Sequence, residues 1–266
     1  MAAISQLWAY RNLIYNLAQR ELRSRYKKSL LGWLWSLLNP ASTLVIYSLV
    51  FGVIFQQNAP DAGNGETAVY ALYLFAGLYV WNFFNNTVTG AIAALQASGP
   101  LLNKVYFPAA CPAIANTVTV LLQMFIEAGI LLVVMGLLGN IGWTILLFPL
   151  LVVVMVLFSL GIGLALSVFN VFYRDVAYLV TIGMNLFFYA TPIIWPITRL
   201  TDHPTARFLV ELNPIAQFVS WSRSIFWTLS WPSTASLVLV PLLSIATFFI
   251  GLAIFNIKAR EIAQEI

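Results

Sequence analysis

The feature that most constrains this chain is a set of long apolar runs without charged side chains. Residues 143–168, for example, form a stretch of 26 positions with no charge. A helix needs about 20 mostly apolar residues to cross a bilayer. Only 8% of all residues are charged, whereas a soluble domain averages about 25% because its surface must face water. The sequence therefore predicts a membrane protein with several spans.

Six segments are long and apolar enough to be predicted as spans, and together they indicate an all-α polytopic protein with one transmembrane domain over residues 1–266. The spans are expected at 34–56, 68–92, 113–137, 143–168, 176–195 and 235–257. Residues 1–33 precede them, and apolar residues between 4 and 28 fall near helical spacing. This pattern predicts an amphipathic helix in the cytoplasmic interface, with a solvated basic tail as the alternative.

The positions of Lys and Arg predict the orientation. With a cytoplasmic N-terminus, ten of the 13 basic residues fall inside and three fall outside (Arg199, Arg207 and Arg223). Basic residues concentrate on the cytoplasmic side of membrane proteins, so both termini are expected inside. The block ahead of the first span is predicted to be a membrane anchor made by Arg20, Arg23, Arg25, Lys27 and Lys28. A nucleic-acid partner is not expected, because no recognition module accompanies these charges.

The segment at 196–233 is predicted to be an external element of interfacial or re-entrant helices. Its apolar runs are interrupted by charges and prolines and are too short to span. Tryptophans are frequent in and next to it: Trp195, Trp221, Trp227 and Trp231. Indole is amphipathic and favours the headgroup region, so these rings are expected there.

Polar side chains form stripes at helical spacing within three predicted spans. The stripes are Asn82, Asn85, Asn86 and Thr89; Asn116, Thr119, Gln123 and Glu127; and Thr181, Asn185 and Tyr189. Such groups should face protein or water instead of lipid. They could line a hydrated passage or join helices by hydrogen bonds, and both interpretations stay open. The candidate lining residues of a passage are Tyr47, Phe51, Tyr79, Asn82, Asn85, Asn86, Thr89, Thr181, Asn185 and Tyr189.

Glu127 is the only acid near the middle of a predicted span. An intramembrane carboxylate is a functional hypothesis by default, and here it would indicate a proton-coupled flippase or small-molecule transporter. The alternative is a hydrogen-bonded carboxyl group in a helix interface.

Catalytic and metal chemistry are not expected in this chain. None of its 15 glycines is followed by lysine, so it lacks the G-x-x-x-x-G-K-[ST] phosphate loop. One cysteine (Cys111) and one histidine (His203) give no thiol cluster for a metal. A membrane-embedded transferase is disfavoured for the same lack of acid–base residues. We predict no catalytic residue, no metal site and no cofactor in the chain itself.

Five segments, in order along the chain, resemble one family. They are "LAQRELRSRYKKSLLGWLWSLLNP" (17–40), "GPLLNKVYFPA" (99–109), "FNVFYRDV" (169–176), "FFYATPIIWP" (187–196) and "ELNPIAQFVSWSRSIF" (211–226). Together they resemble the polysaccharide-export branch of the type-2 ABC-transporter permeases, which export lipid-linked O-antigen, capsule, teichoic acid or galactan.

The resemblance implies a homodimer in the bacterial inner membrane, driven by two copies of a separate ABC ATPase that binds ATP and Mg. The implied substrate is a polyprenyl-diphosphate-linked polysaccharide, moved outward across the membrane. Residues 99–107 would form a cytoplasmic coupling helix, and 196–233 would resemble an external gate. The implied ATPase-coupling residues are Leu101, Leu102, Lys104, Val105, Tyr106, Phe107, Arg174 and Asp175. For Arg174 and Asp175, a local ion pair is the alternative.

Overall fold

The computed structural model describes residues 8–25, 27, 29–102, 104–105 and 107–265, and within these ranges every regular element is helical. The α-helices are α1 (Arg11–Arg25), α2 (Trp35–Tyr47), α3 (Tyr70–Ala97), α4 (Gly99–Leu102), α5 (Cys111–Leu137), α6 (Phe148–Phe172), α7 (Val176–Ala190), α8 (Pro204–Glu211), α9 (Pro214–Phe226) and α10 (Thr234–Glu265). Short 3-10 helices lie at Gly32–Leu34, Trp143–Leu147 and Ile197–Leu200, and a π-helix at Ser48–Ile54 continues α2.

Among the residues that the structure describes, four helical stretches are long and apolar enough to cross a membrane, and they match four of the six predicted spans. They are Gly32–Ile54, Cys111–Leu137, Trp143–Phe172 and Thr234–Lys258. The second predicted span coincides with α3, whose 28 residues give a length of about 42 Å, although its polar residues make it less apolar. The fifth coincides with α7, which has 15 residues, fewer than the usual 20 or so.

Helix α3 is less apolar than α5 and α6, and protein surrounds most of it. Nineteen of its 28 residues are buried, and it packs against α5, α6 and α9. Its Phe75, Tyr79 and Phe83 are among the largest fully buried side chains. A helix in this position contacts other helices more than lipid, so polar groups on it can be satisfied by neighbouring backbone and side chains.

Helices α6 and α10 pack with their backbones almost in contact. A Cβ atom added at Gly251 would lie 2.0 Å from the carbonyl oxygen of Gly161, and one added at Gly161 would lie 2.6 Å from the carbonyl oxygen of Thr247. Glycine at a helix crossing allows such an approach. Leu160, Leu164 and Phe255 fill the space beside the crossing.

Helices α2 and α7 lie at the periphery of the bundle. No residue of α7 is buried, and α2 buries only Ser36 and Pro40. Both present large exposed apolar side chains: Leu37, Val45 and Ile46 on α2, and Tyr178, Leu179, Ile182 and Leu186 on α7. Contiguous apolar faces of this kind mark contact with lipid or with another chain.

The segment at 196–233 is structured, with α9 inside the bundle. Two of its tryptophans are enclosed by protein, since Trp221 is 1% exposed and Trp227 is 0% exposed. Both indole N–H groups find partners within the protein: Trp221 donates to the hydroxyl of Ser236 (2.7 Å) and Trp227 to the carbonyl of Pro60 (3.0 Å). A buried indole is tolerated when its N–H is bonded in this way.

Asn140 joins three separate segments next to these tryptophans. Its amide nitrogen donates to the carbonyls of Phe226 (2.9 Å) and Trp227 (3.0 Å), and its amide oxygen accepts from the backbone N–H of Asn64 (3.0 Å). The side chain is 1% exposed. One buried amide thus connects the loop before α3, the turn after α5 and the end of α9.

Candidate functional site

The amphipathic helix α1 rests its apolar face on protein. Leu17 and Ala18 are buried in a cluster with Phe107, Cys111 and Ala115, at the start of α5. The anchor residues Arg20, Arg23 and Lys27 are exposed. Lys28 and the side chain of Arg25, the other two predicted anchor residues, lie outside the described part of the structure. Helix α1 therefore packs its apolar face against α5 and leaves Arg20 and Arg23 exposed.

The segment after α3 is less helical than expected. Among the described residues of this segment, the helix covers Gly99–Leu102, and the amides of Lys104 and Val105 then donate to the carbonyl of Leu101 (3.1 and 3.0 Å) in a turn. The predicted helix over 99–107 is therefore too long. Two prolines, at 100 and 108, bound this segment.

The side chains of this segment divide between the protein interior and solvent. Phe107 is only 6% exposed and packs against Leu17 of α1, so it offers no surface to a partner, contrary to the prediction. Leu101 and Leu102 are half-buried, Lys104 is exposed, and Val105 is 54% exposed. Tyr106 lies outside the described residues. The surface that is free to meet a partner is thus smaller than the sequence suggested.

The turn between α6 and α7 is held by a residue that the sequence analysis missed. Asn170 is buried, and its side-chain oxygen accepts from the backbone N–H of Ala177 (2.9 Å) in the first turn of α7. Arg174 and Asp175 are exposed and form no ion pair with a described residue. The local pair considered for them is therefore not found. The available signal for Asn170 was an amide at the end of an otherwise apolar span.

The polar stripe of α3 divides between helix contacts and an open cavity. Asn82 donates to Glu127 (3.4 Å), whereas Asn86 and Thr89 line a cavity of about 540 Å³ between α1, α3 and α5. Asn85 is partly exposed, and its backbone carbonyl accepts from the Thr89 hydroxyl (2.7 Å). Tyr79 is fully buried and accepts from the Ser222 hydroxyl (2.8 Å). Tyr79 therefore cannot line a passage, contrary to the prediction.

Glu127 sits in a junction of three helices and not in the cavity. Its carboxylate is 7% exposed and accepts from Gln123 (3.2 Å) and Asn82 (3.4 Å). Gln123 also donates to the carbonyl of Ser36 (3.1 Å), so α2, α3 and α5 meet here. The geometry favours the interhelical hydrogen-bond interpretation of Glu127 over a proton pathway.

The remaining candidate lining residues lie at the periphery. Thr181, Asn185 and Tyr189 are exposed on α7. Tyr47 and Phe51 are partly buried with ring centroids 5.9 Å apart, and Phe51 contacts Tyr70 at 5.5 Å. Within the described ranges, no hydrogen bond or ring contact joins the three α7 residues to the polar residues of α3. A single chain therefore does not assemble these residues into one passage.

Arg223, counted as an external charge in the sequence, is a buried structural centre. Its guanidinium donates to the carbonyls of Pro192 and Ile193 (2.7 Å each) and lies 3.8 Å from the centroid of the Tyr73 ring. The side chain is 8% exposed. In addition, the Tyr70 hydroxyl donates to the carbonyl of Ile194. Arg223 thus joins two of the recognised sequence segments, 187–196 and 211–226, to the start of α3.

Comparison with known proteins decides the family. The ABC-2 type transporter family matches residues 12–227, most of the chain. The chain belongs to this family. It is 30% identical to the O-antigen export system permease protein RfbA of Myxococcus xanthus over 264 residues, covering 99% of this chain and 98% of the relative.

Two further relatives match over nearly the same length. The chain is 26% identical to the O-antigen export system permease protein RfbA of Klebsiella pneumoniae over 250 residues, covering 92% and 91% of the two chains. It is 26% identical to the polysialic acid transport protein KpsM of Escherichia coli over 254 residues, covering 92% of each. The family resemblance is confirmed. Together with the apolar helices, it makes this ABC-2 protein a multi-pass membrane transport protein of a family whose members work with an ATPase partner.

Proposed function

We propose that this ABC-2 protein is the permease subunit of an ATP-driven exporter that moves a polyprenyl-diphosphate-linked polysaccharide from the cytoplasmic to the outer side of the bacterial inner membrane. One observation carries the proposal. The three relatives, each matched over at least 91% of its length, are named for O-antigen export or polysialic acid transport. The polar and aromatic residues of the bundle support it, because hydroxyl-rich sugars suit amide donors and ring faces.

The proposed topology has six spans with both termini in the cytoplasm. Helix α3 is long enough to be the second span although it is less apolar, since its neighbours cover most of it. Helix α7 with the residues up to 195 would be the fifth. The excess of Lys and Arg on the side of α1 supports the orientation.

We further propose that two copies of the chain form the passage. The exposed apolar face of α7, and that of α2 at Val45 and Ile46, are surfaces that a second copy could cover. The exposed Thr181, Asn185 and Tyr189 would then face residues of the partner copy, which explains why one chain leaves the lining residues apart. Two ATPase subunits, with ATP and Mg, would supply the energy.

The proposed coupling surface is the exposed part of the cytoplasmic turns. It comprises Leu101, Leu102, Lys104 and Val105 after α3, and Arg174 and Asp175 after α6. A cysteine at Val105 in a Cys111→Ser background should cross-link to the ATPase. A cysteine at Trp231, which is equally exposed (59% against 54%) but lies in the external segment, is the matched control and should give no adduct. Equal adducts at both positions, or none at Val105 in any nucleotide state, would contradict the coupling role.

The function itself is tested by depleting the protein in its native cell and analysing the lipid-linked glycans of each membrane leaflet. The proposal predicts that one finished polymer accumulates on the cytoplasmic side and that the wild-type gene restores export. Unchanged glycans in a cell without a second exporter would contradict it.

A further inference from the structure

The cavity beneath α1 has the size and lining of a ligand site. Its volume of about 540 Å³ lies within the range of about 300–1,000 Å³ that is usual for ligand pockets. Its lining includes Arg20 and Ser24 of α1, Asn86 and Thr89 of α3, and Gln123 of α5. Its walls thus offer a cation at the α1 wall and several neutral hydrogen-bonding groups.

The unpartnered groups of this cavity favour an anion. Arg20 forms no ion pair with a described residue, and the side-chain amide of Asn86 has no hydrogen-bond partner among the residues described. A second hollow shares Arg20 and adds Arg23 and Lys27, so the two hollows are lined by three basic side chains and one acid, Glu21. Arginine and amide donors in this arrangement suit phosphoryl oxygens.

An apolar groove lies between α2 and α5, and its lining on α5 begins at Phe125, two residues after Gln123 of the cavity. It has a volume of about 430 Å³, and its walls include Leu37, Phe125, Ile130 and Val133. It follows α5 from 125 to 134, which corresponds to about 13 Å of helix. A Cβ atom added at Gly129, which also lines the groove, would meet nothing within 4 Å, so the groove is open there.

Gln123 lies next to both the cavity and the groove. It lines the cavity and donates to the carbonyl of Ser36, whose neighbour Leu37 lines the groove. On α5, positions 123, 126, 130 and 133 are spaced by three or four residues and share one face. A molecule could therefore extend from the polar cavity into the apolar groove along a single side of α5.

We propose that cavity and groove together bind a lipid with a phosphoryl head and a long apolar chain, the lipid end of the exported conjugate. The phosphoryl group lies against Arg20 at the cytoplasmic surface, and the chain follows the groove past Gly129 into the membrane. This assignment rests on the proposed function, because that function supplies the phosphoryl lipid. A polar and an apolar compartment in series match such a lipid better than they match free phosphate or a sugar chain.

The test measures binding to the purified protein in phosphatidylcholine nanodiscs, without transport. Tritium-labelled geranylgeranyl diphosphate is the probe, detected by scintillation proximity. Three competitors separate the contributions: geranylgeraniol lacks the head, inorganic diphosphate lacks the chain, and phosphatidylglycerol represents bulk anionic lipid. The proposal predicts that each competes at least about tenfold more weakly than unlabelled probe, because each lacks part of the matched chemistry. Equal competition by phosphatidylglycerol would overturn it, as would equal competition by inorganic diphosphate.

Two variants with matched controls locate the site. Arg20→Gln should weaken probe binding by about tenfold or more, the scale of a lost charge-assisted contact, whereas Arg11→Gln makes the same charge change nine residues away and should leave binding unchanged. Gly129→Leu should fill the groove and weaken binding, whereas Gly129→Ala should not. Equal effects of Arg20→Gln and Arg11→Gln, or normal binding by Gly129→Leu, would overturn the site.

The outcomes separate the site from the function on which it rests. If glycan export occurs in cells but probe binding does not depend on Arg20 and Gly129, the site is wrong and the export proposal stands. If the probe binds as predicted but depletion leaves every lipid-linked glycan unchanged, the export proposal fails, and with it the identification of the lipid as the exported conjugate.

Discussion

Replacing Arg223 by methionine tests the most consequential feature that the structure adds to the sequence. The change keeps most of the side-chain volume but removes the guanidinium. Two short hydrogen bonds to the carbonyls of Pro192 and Ile193 disappear, together with the contact to the Tyr73 ring. Pro192 and Ile193 then lose the hydrogen bonds that connect them to α9, and α9 loses its ring contact with α3.

The magnitude follows from these contacts. A hydrogen bond from a charged donor contributes about 1.5–3 kcal/mol, so two contribute about 3–6 kcal/mol, and a desolvated cation–π contact adds about 2 kcal/mol. The desolvation of the guanidinium opposes this by several kcal/mol. We therefore expect Arg223→Met to lower the free energy of unfolding by about 2–4 kcal/mol. For a chain of this size that corresponds to a fall in Tm of about 5–15 °C.

The single cysteine provides the assay. Cys111 is buried, so a thiol-reactive fluorescent dye labels it only when the detergent-solubilised protein unfolds, and the labelling temperature reports Tm. Arg207→Met is the control: Arg207 is about half exposed and pairs with Glu211 on the surface (2.8 Å), a pair worth less than about 1 kcal/mol. A Tm of Arg223→Met within about 1 °C of the wild type, or a loss no larger than that of Arg207→Met, would refute the reasoning.

Three further predictions follow from single contacts. Gly251→Ala should lower the free energy of unfolding by about 1–3 kcal/mol, because the added Cβ atom would collide with the Gly161 carbonyl. Gly129→Ala is the control and should be neutral or stabilising, because its Cβ atom meets open space. Tm values from dye labelling check both variants, and equal losses of Tm would contradict the close packing of α6 and α10. Asn140→Ala should lower the free energy of unfolding by about 1–3 kcal/mol, because it leaves two buried carbonyls and one N–H without a hydrogen bond. An unchanged Tm would contradict the role of Asn140 in connecting the three segments. Glu127→Gln keeps one of the two acceptor oxygens and so retains one of the bonds from Gln123 and Asn82; export of glycan should therefore be unchanged at pH 6 and pH 8. Loss of transport with a normal Tm would return Glu127 to a proton-coupling role.

The sequence predicted the general class and the family but not the partners of individual polar residues. Low charge and long apolar runs require a membrane bundle, because a soluble surface cannot be built from them. The stripes at 82–89 and 116–127 followed from helical periodicity alone. Whether a polar residue joins two helices or lines an open space depends, however, on the facing helix. Asn82 forms a hydrogen bond to Glu127, whereas Asn86 lines a cavity.

The errors arose where burial depends on residues far away along the chain. The count of Lys and Arg assigned Arg223 to the outer side, which stays a prediction, but it gave no sign that the side chain is buried, because that burial depends on two carbonyls about 30 residues earlier. Tyr79 was a candidate lining residue, yet it is fully buried and its hydroxyl accepts a hydrogen bond from Ser222, 143 positions later. The sequence alone does not show whether Trp221 lies in a headgroup region or in the protein core. Its burial depends on the hydroxyl of Ser236, which accepts a hydrogen bond from the indole N–H.

The central claim is that this ABC-2 protein moves a lipid-linked polysaccharide at the expense of ATP hydrolysed by a partner. The most direct test reconstitutes it with its ATPase in proteoliposomes that carry the labelled lipid-linked glycan on the ATPase side. The account predicts that ATP, and no proton gradient, makes the glycan inaccessible to an external glycosidase, and that an ATPase-inactive partner abolishes the effect. Glycan movement driven by a pH gradient without the ATPase would contradict it.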